Sequence, residues 1–329
     1  LPWFVLFILE LQNRTANWRW IGKMAFLLTL VFLQGSFHQF VGLLIFIALL
    51  ALCYPKNFWQ LAMTGIFSCL LSSFRIFPVA LIVKKVEQVF IGGFPGIWES
   101  VKGMLELRNA TMLMDGLSWP LNTISTWEFD FYLGAIGFLF ISIFGIYYWV
   151  KYPVVSLRFF IPLAVLTLLS LGGVYQLVRT FPIPILDGER VTTRFLMIPM
   201  VFLVFVASIY NQQWFNSRSL TPKIKLLFMA GALALCSDLW GHFEMWKVEA
   251  VRLLFTDSLH PFNPALWNLA NYSDSLYTGI LKRSMGISVI SAFLLLIMIF
   301  VNPSLKFHVN LTKTLIDKNK PHHKPSSGH

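Results

Sequence analysis

Apolar runs of membrane-spanning length recur along this 329-residue chain and constrain its fold more than any other feature. A helix needs about 20 predominantly apolar residues to cross a bilayer. Within lipid, a helix satisfies its own backbone N–H and C=O groups, which have no water to bind. Only 12% of the residues are charged, about half of the ~25% that is usual in soluble domains. The sequence therefore predicts an all-α integral membrane protein.

We predict about eight full transmembrane helices, preceded by a partial first one. The turn GSFHQ joins two of these segments and leaves the first of them short, so the pair is either two spans or one re-entrant hairpin. The opening run LPWFVLFILEL lacks an initiator Met and is expected to be the end of a helix that begins outside this sequence. The predicted segments are 1–11 (partial), 20–34, 37–54, 58–82, 131–150, 159–178, 195–210, 225–240 and 284–301.

The Lys and Arg residues predict the orientation of these segments. They dominate the short connections and the tail, where acidic residues are almost absent, whereas bases and acids balance in the long connections. The short connections and the C-terminus are therefore expected in the cytoplasm. The net charge of +11 is then a signal of topology and of contact with anionic lipid, rather than of nucleic acid binding.

The long connections define the expected domain organisation. Residues 1–305 are predicted to form one polytopic membrane domain, with outer loops at 84–130, 179–194 and 241–283. Two amphipathic helices are expected in these loops, near 97–108 and at 242–259, because apolar residues recur there on one helical face. Residues 306–329 are polar and contain Pro, which predicts a disordered basic tail.

The stretch PILDGERVTTRFLMIPM gathers charge at the start of an apolar segment. Arg190 and Arg194 are four residues apart and would share one helical face. Thr192 or Thr193 could cap the helix that follows. Two guanidinium groups beside a helix N-terminus are suited to a phosphate or pyrophosphate. The alternative is an ion-paired anchor, in which Glu189 or Asp187 binds either arginine.

Arg75 lies within a predicted span, in the run FRIFPVALIV. Pro78 follows three residues later and is expected to break or kink the helix near Phe77. A broken helix that contains a cation could bind an anion. Alternatively, Arg75 reaches the interface and Pro78 ends the helix.

Three further candidates are polar or acidic residues at predicted outer ends. Glu128 and Asp130 precede a span and could have a structural or positioning role, act as a general base, hold a divalent metal or pair with Arg190 or Arg194. His38 lies in the GSFHQF turn. Asp238 and His242 have the i, i+4 spacing of a polar pair. The sequence fixes no cofactor and leaves a divalent metal open.

Four short motifs together resemble the C-terminal part of bacterial GT-C-type membrane proteins, the polyprenyl-phosphate-dependent glycosyltransferase superfamily. They are GSFHQF in a helical hairpin, FRIFP, WEFDFYLG before a span and TTRFLMIP at the opening of another. The resemblance implies a multi-helix core in a bacterial plasma membrane. It also implies a polyprenyl-phosphate sugar donor at the outer leaflet and an acceptor under the outer loops.

For the site, the resemblance implies donor-phosphate binding by Arg190, Arg194 and Arg75. Glu128, Asp130, Glu189 and His38 would position groups or face the acceptor. The catalytic acidic motif of that family lies in the first outer loop, which this sequence does not contain, so no catalytic base is assigned and enzyme activity stays open. The alternatives are a transporter or flippase of lipid-linked saccharides and a non-catalytic membrane scaffold.

Overall fold

The structure, a computed structural model, is helical throughout the part of the chain that it describes. Within that part the only β-type pairing is two isolated parallel bridges, Gly92 with Val191 and Phe94 with Leu171. The all-α class predicted from the apolar runs is confirmed to that extent. The described residues are 1–12, 16–35, 37–83, 90, 92–106, 129–181, 189, 191–217, 221–256 and 275–301.

Twelve helices are assigned over these residues, with short 3-10 turns at Pro55–Asn57, Leu157–Phe159 and Thr192–Leu196. They are α1 (Pro2–Glu10), α2 (Trp18–Leu33), α3 (Phe37–Cys53), α4 (Phe58–Leu71), α5 (Ser73–Val83), α6 (Ile97–Leu105), α7 (Gly134–Lys151), α8 (Phe160–Leu169), α9 (Gly172–Arg179), α10 (Met197–Asn216), α11 (Pro222–Thr256) and α12 (Ser275–Val301).

Four helical stretches in the described residues are long and apolar enough to cross a membrane. They are Gly134–Lys151, Thr192–Asn216, Pro222–Lys247 and Ser275–Phe300. A fifth crossing results if Phe37–Cys53 and Pro55–Leu71, which are bent by 118° relative to each other, count as one broken span. The eight predicted spans are therefore not confirmed, because several apolar segments fold as shorter helices.

The main core lies where α1, α2 and α3 pack against α4, α8 and α10. Phe202 of α10 is at its centre, with ring centroids 6.2 Å from Phe46 and 5.5 Å from Phe159. The three rings are fully buried. Aromatic pairs in such arrangements stabilise a core beyond their burial alone, by about 0.5–1.5 kcal/mol each.

The predicted segment 58–82 is interrupted, but not at Pro78. Helix α4 ends at Leu71 and α5 begins at Ser73, whereas Pro78 lies inside α5. Ser288 of α12 spans the interruption: its hydroxyl oxygen accepts from the Phe74 N–H at 3.3 Å and donates to the Leu70 carbonyl at 3.2 Å. A backbone break away from water needs such side-chain partners, so the break depends on the distant helix α12.

The predicted segment 159–178 is interrupted in the same way. Helix α8 ends at Leu169 and α9 begins at Gly172. Phe94 pairs with the gap, since its N–H donates to the Ser170 carbonyl and its C=O accepts from the Gly172 N–H, both at 3.0 Å. The segment around Phe94 thus supplies the hydrogen bonds that the broken helix lacks.

Helix α7 contains a π-helical stretch, Ile141–Tyr147, in its middle. Gly145 lies in that stretch, and a Cβ there would be 3.0 Å from the Leu203 carbonyl oxygen and 3.4 Å from Cβ of Ala207. Gly145 therefore allows α7 to approach α10 closely. A π-helical stretch is a local widening of a helix and occurs mostly in single turns.

The two predicted amphipathic helices have different outcomes. Helix α6 lies in the expected place, with Trp98 62% exposed and Met104 buried. The second prediction, a separate surface helix at 242–259 after a span ending at 240, is wrong, because α11 continues without a break from Pro222 to Thr256. At 1.5 Å per residue its 35 residues extend about 52 Å, which exceeds a hydrocarbon core of about 30 Å.

Candidate functional site

The candidate site forms where the α2–α3 turn meets the start of α10. We call the set 33–35, 37–38, Glu189 and 192–197 the junction. Helix α2 ends in a turn at Gly35, whose φ of +96° favours glycine. Across the contact, a Cβ on Gly42 of α3 would lie 2.9 Å from Ile198 and 3.3 Å from Phe195. This close approach brings the second turn of α3 against the start of α10.

His38 and Glu189 form the central pair of the junction. Nδ1 of His38 lies 2.6 Å from Oε2 of Glu189, across 151 residues of sequence. The Glu189 side chain is 1% exposed and that of His38 is 28% exposed. Oε1 of Glu189 is buried and has no hydrogen-bond partner among the described residues. A buried carboxylate oxygen without a partner is costly, so this atom requires a physical account.

Arg194 lies half-buried in the 3-10 turn Thr192–Leu196. Its position fits the predicted charged opening of α10. Arg190 and Glu128 lie outside the described residues, so their predicted roles stay predictions. The expected capping by Thr192 or Thr193 is wrong, because neither the 3-10 turn nor α10 has a side-chain cap.

Thr192 instead holds the junction to the α8–α9 break. Its N–H donates to the Gly92 carbonyl at 3.0 Å, and its hydroxyl donates to the Ser170 carbonyl at 3.3 Å. The extended segment 92–94 therefore lies between the start of the 3-10 turn and the broken helix. Both Thr192 and Thr193 are fully buried. These bonds fix the backbone that carries Arg194.

Arg75 lies on the other side of the α2–α3 turn. Its Nη1 donates to the Leu33 carbonyl at 3.1 Å, and its guanidinium carbon lies 5.7 Å from the Phe32 ring centroid. The arginine thus satisfies a carbonyl at the end of α2. The Phe32 ring contacts that of Phe37, next to His38 in the chain. Arg75 is exposed and its guanidinium carries five N–H donors, of which one is used in the hydrogen bond shown with the described residues.

Asp130 belongs to a second network, with His242 of α11. Its Oδ2 lies 2.7 Å from Nε2 of His242, and its Oδ1 accepts from the Tyr132 N–H at 3.1 Å. Each oxygen thus has a polar neighbour at hydrogen-bond distance. The partner that the structure shows for Asp130 is His242, and the predicted pairing with Arg190 or Arg194 stays a prediction. Asp130 therefore ties the start of α7 to α11.

Tyr132 connects the two carboxylates of this network. Its hydroxyl donates to Oδ1 of Asp238 at 2.7 Å, and its ring stacks on His242 at 4.5 Å. Burial raises the pKa of Tyr132 to about 12, with further contributions from the hydrogen bond to Asp238 and the charges of Asp238 and Asp130. Gly134 has a φ of +66°, and a Cβ there would overlap the Asp238 carboxylate. Only glycine fits this position.

Trp246 adds a competing hydrogen bond to His242. Its indole Nε1 lies 2.9 Å from the same Nε2 that faces Asp130. An indole N–H can only donate. The ring nitrogen therefore accepts from Trp246 when it carries no proton and donates to ionised Asp130 when it does. The Asp238–His242 spacing indicated a polar pair, but the joining residues, Tyr132 and Trp246, gave no signal in the sequence.

The structure brings some predicted site residues together and separates others. His38, Glu189 and Arg194 belong to the junction and Arg75 binds the end of α2 beside it, whereas Asp130 lies in the network with His242 of α11. Phe94 stands between the two groups, because its ring contacts Phe129 and Phe131 beside Asp130, while Gly92 binds Thr192. No set of three or more His, Cys, Asp or Glu residues able to hold a metal occurs among the described residues.

The fold and the junction define a class, a helical protein with several apolar helices of membrane-spanning length and a His–Glu pair, of which the Glu is buried, near the start of one of them. Comparison with known proteins does not narrow this class. No family model matches the chain, and neither a curated protein nor a solved structure matches it.

Proposed function

We propose that this chain forms the membrane-embedded part of a glycosyltransferase that uses a polyprenyl-phosphate-linked sugar as its donor. The sugar would pass to an acceptor on the outer side of a bacterial plasma membrane. The resemblance of GSFHQF, FRIFP, WEFDFYLG and TTRFLMIP to GT-C-type proteins motivates this function. The observations that support it are the hydrogen bond of Arg75 to the Leu33 carbonyl at the end of α2, the His38–Glu189 pair after the α2–α3 turn, and the position of Arg194 in the 3-10 turn before α10.

The proposed role of the arginines is electrostatic. A lipid phosphate at the headgroup level carries negative charge, and guanidinium N–H groups bind phosphate oxygens in a fixed planar geometry. Charge on the leaving phosphate increases as the bond to the sugar breaks. Arginines already held in place by the α2 end and by the Thr192 anchor would stabilise that charge without reorganising.

Affinity for the donor's lipid phosphate tests this proposal. The whole chain in lipid nanodiscs would be titrated with undecaprenyl phosphate, and bound lipid measured by native mass spectrometry. We expect Arg194→Gln and Arg75→Gln each to weaken binding about tenfold, which corresponds to about 1.4 kcal/mol. A charge-assisted hydrogen bond contributes that much or more.

Arg158→Gln is the matched control. Arg158 also lies over an aromatic ring, with its guanidinium carbon 5.1 Å from the Tyr54 centroid, but it is in the connection between α7 and α8, away from the junction. It should leave the affinity unchanged. Equal effects of all three changes, or no binding by the unmodified chain, would refute the proposal.

The second candidate function is a transporter or flippase of lipid-linked saccharides. The two interrupted helix pairs, α4–α5 and α8–α9, favour it, since transporters build substrate sites from discontinuous helices. Proteoliposomes that contain a fluorescent polyprenyl-phosphate sugar distinguish the two functions. Movement of the lipid between leaflets without cleavage of the sugar–phosphate bond supports the transporter, and cleavage supports the transferase.

A further inference from the structure

Helix α11 has little buried surface for a helix of its length. No residue from 222 to 247 is buried, although this stretch is apolar enough to cross a membrane. Phe228 holds its first part through ring contacts with Trp214 and Phe215, whose centroids lie 5.4 Å and 4.7 Å away. A later part of the helix meets the start of α7 through polar side chains. Because burial of apolar area is the main force that holds elements together, α11 depends strongly on these individual contacts.

The polar side chains lie on one face of α11. Asp238, His242 and Trp246 are spaced four residues apart and therefore share that face. Asp238 accepts from the Tyr132 hydroxyl at 2.7 Å, and Nε2 of His242 lies 2.7 Å from Oδ2 of Asp130. Tyr132 and Asp130 belong to the segment before α7, so both contacts join separate parts of the chain. The His242 side chain is 19% exposed, so protons from water can reach it.

Two groups compete for Nε2 of His242. Nε1 of Trp246 lies 2.9 Å from this nitrogen, and Oδ2 of Asp130 lies 2.7 Å from it. An indole N–H can only donate, and an ionised carboxylate can only accept. Without a proton, Nε2 accepts from Trp246 and presents its lone pair to the carboxylate. With a proton, it donates to Asp130 and cannot accept from Trp246. The two hydrogen bonds therefore exclude each other.

The two bonds differ in what they join. Trp246 follows His242 by one turn of α11, so its hydrogen bond stays within one helix. Asp130 is 112 residues away, and its bond connects α11 to the start of α7. Protonation of His242 thus exchanges a bond within α11 for a charge-assisted bond between two parts of the fold. Charge-assisted hydrogen bonds are roughly twice as strong as neutral ones.

The titratable groups that face His242 or lie near it on α11 are Asp130, Tyr132, Asp238, Glu244 and Lys247. Tyr132 keeps its proton near neutral pH, since burial raises its pKa to about 12. Glu244 and Lys247 pair with each other at 3.5 Å. Histidine is the side chain whose charge ordinarily changes between pH 5 and 8. The ring of His242 is therefore the group in this network that can respond in that range.

We propose that His242 is a proton-operated latch that fastens α11 to the start of α7. At acidic pH the charged ring binds Asp130, and this bond adds to the one between Tyr132 and Asp238. At neutral pH the ring binds Trp246, and the Tyr132–Asp238 bond remains as the polar tie. The latch is independent of the proposed function, because it rests on the geometry of α11 alone.

Hydrogen exchange of the whole chain in nanodiscs, measured by mass spectrometry, tests the latch. Backbone amides of 238–246 are followed between pH 5 and 8, with rates corrected for the intrinsic effect of pH on exchange. Amides of 24–32 in α2, which lie in the main core, are the internal reference. We expect the protection of 238–246 to rise about tenfold as the pH falls, since a hydrogen bond to a charged group contributes that much, while the reference changes less than about twofold.

His242→Gln removes the proton and keeps the hydrogen bonds. The glutamine amide can donate to Asp130 while its oxygen accepts from Trp246 at every pH in the range. We therefore expect protection of 238–246 that no longer depends on pH. If the wild-type pH dependence persists in His242→Gln, or if the wild type shows none, the latch is overturned.

Trp246→Phe tests the competition itself and also decides the matter if His242→Gln does not fold. Loss of the indole donor removes the stabilisation of the neutral ring, so the midpoint of the protection curve should move to higher pH. Trp240→Phe is the matched control, because Trp240 is 63% exposed on the same helix and its ring contacts Phe243 of α11. It should leave the midpoint unchanged. An unmoved midpoint in Trp246→Phe, or equal shifts in the two variants, would contradict the latch.

Discussion

Gly93 leaves no room for a side chain beside Thr192, because a Cβ atom on Gly93 would overlap the threonine hydroxyl oxygen. The same Cβ would lie 2.6 Å from the Gly172 backbone nitrogen and 2.7 Å from the Ser170 carbonyl oxygen. Three separate parts of the chain therefore meet at one glycine. They are the extended segment 92–94, the α8–α9 break and the beginning of the turn that carries Arg194.

This relationship predicts that Gly93→Ala is destabilising. Overpacking of this kind typically costs about 1–3 kcal/mol, and here it also pushes apart the hydrogen bonds of Phe94 and Thr192. The free energy of unfolding in mixed detergent micelles measures the effect. Gly173→Ala is the matched control, since nothing lies within 4 Å of a Cβ at that nearby position. Equal stability of the two variants would contradict the predicted close packing.

A second prediction concerns the α4–α5 break. Ser288→Ala removes the group that bridges the Phe74 N–H and the Leu70 carbonyl, and also the contact with Ser73 Oγ at 2.9 Å. We expect a loss of about 1 kcal/mol, since hydrogen bonds between membrane helices contribute about 0.6–1.7 kcal/mol. Ser291→Ala is the control, because among the described residues Ser291 bonds only the Ile287 carbonyl of its own helix, at 2.7 Å. A larger loss in the control would show that the bridge is unimportant.

The Tyr132 network predicts a difference in stability at alkaline pH. The pKa of Tyr132 is raised from 10.0 to about 12 in the folded protein, with burial as the largest cause. The unfolded chain therefore loses this proton at a lower pH than the folded protein does. The contribution of Tyr132 to the free energy of unfolding is then complete below pH 10 and is lost as the pH rises toward 12. Tyr132→Phe should remove this part of the alkaline loss, as measured by unfolding at a series of pH values. Parallel pH curves for the two proteins would contradict the assignment.

The orientation predicted from Lys and Arg can be tested by cysteine labelling. In a background that lacks Cys53, Cys69 and Cys236, single cysteines would replace Ile97 of α6 and Ser217 after α10, both of which are exposed. In right-side-out vesicles, an impermeant maleimide should modify the cysteine at 97 and leave the one at 217 unmodified until the vesicles are opened. The reverse pattern would place the junction on the cytoplasmic side and remove the proposed donor from reach.

The helical class could be predicted because it depends on composition and on the length of apolar runs. The breaks could not, since 58–82 is apolar on both sides of Ser72 and the group that stabilises the gap is Ser288, more than 200 residues away. Pro78 was the visible signal, yet it lies within α5. The sequence did not predict that α11 continues without a break either, because its change from apolar to amphipathic residues resembles the end of a transmembrane span.

The sequence identified several residues of the candidate site, but it did not predict which of them contact each other. His38 and Glu189 were each selected from local context, but their contact joins residues 151 apart. Asp130 and His242 were likewise both noted, and only the fold shows that they bind each other. Charged residues in an apolar chain are visible in the sequence as candidates. Tertiary packing decides their hydrogen bonds: each Asp130 oxygen has a partner, whereas Oε1 of Glu189 has none among the described residues.

The most direct test of the donor site is photo-crosslinking with a diazirine-bearing polyprenyl phosphate, followed by peptide mapping of the labelled chain. The account predicts label on peptides that contain the α2–α3 turn around His38 and the start of α10 around Arg194, and loss of that label on addition of excess undecaprenyl phosphate. Label spread along the lipid-facing surfaces of α11 and α12, undiminished by the competitor, would contradict it.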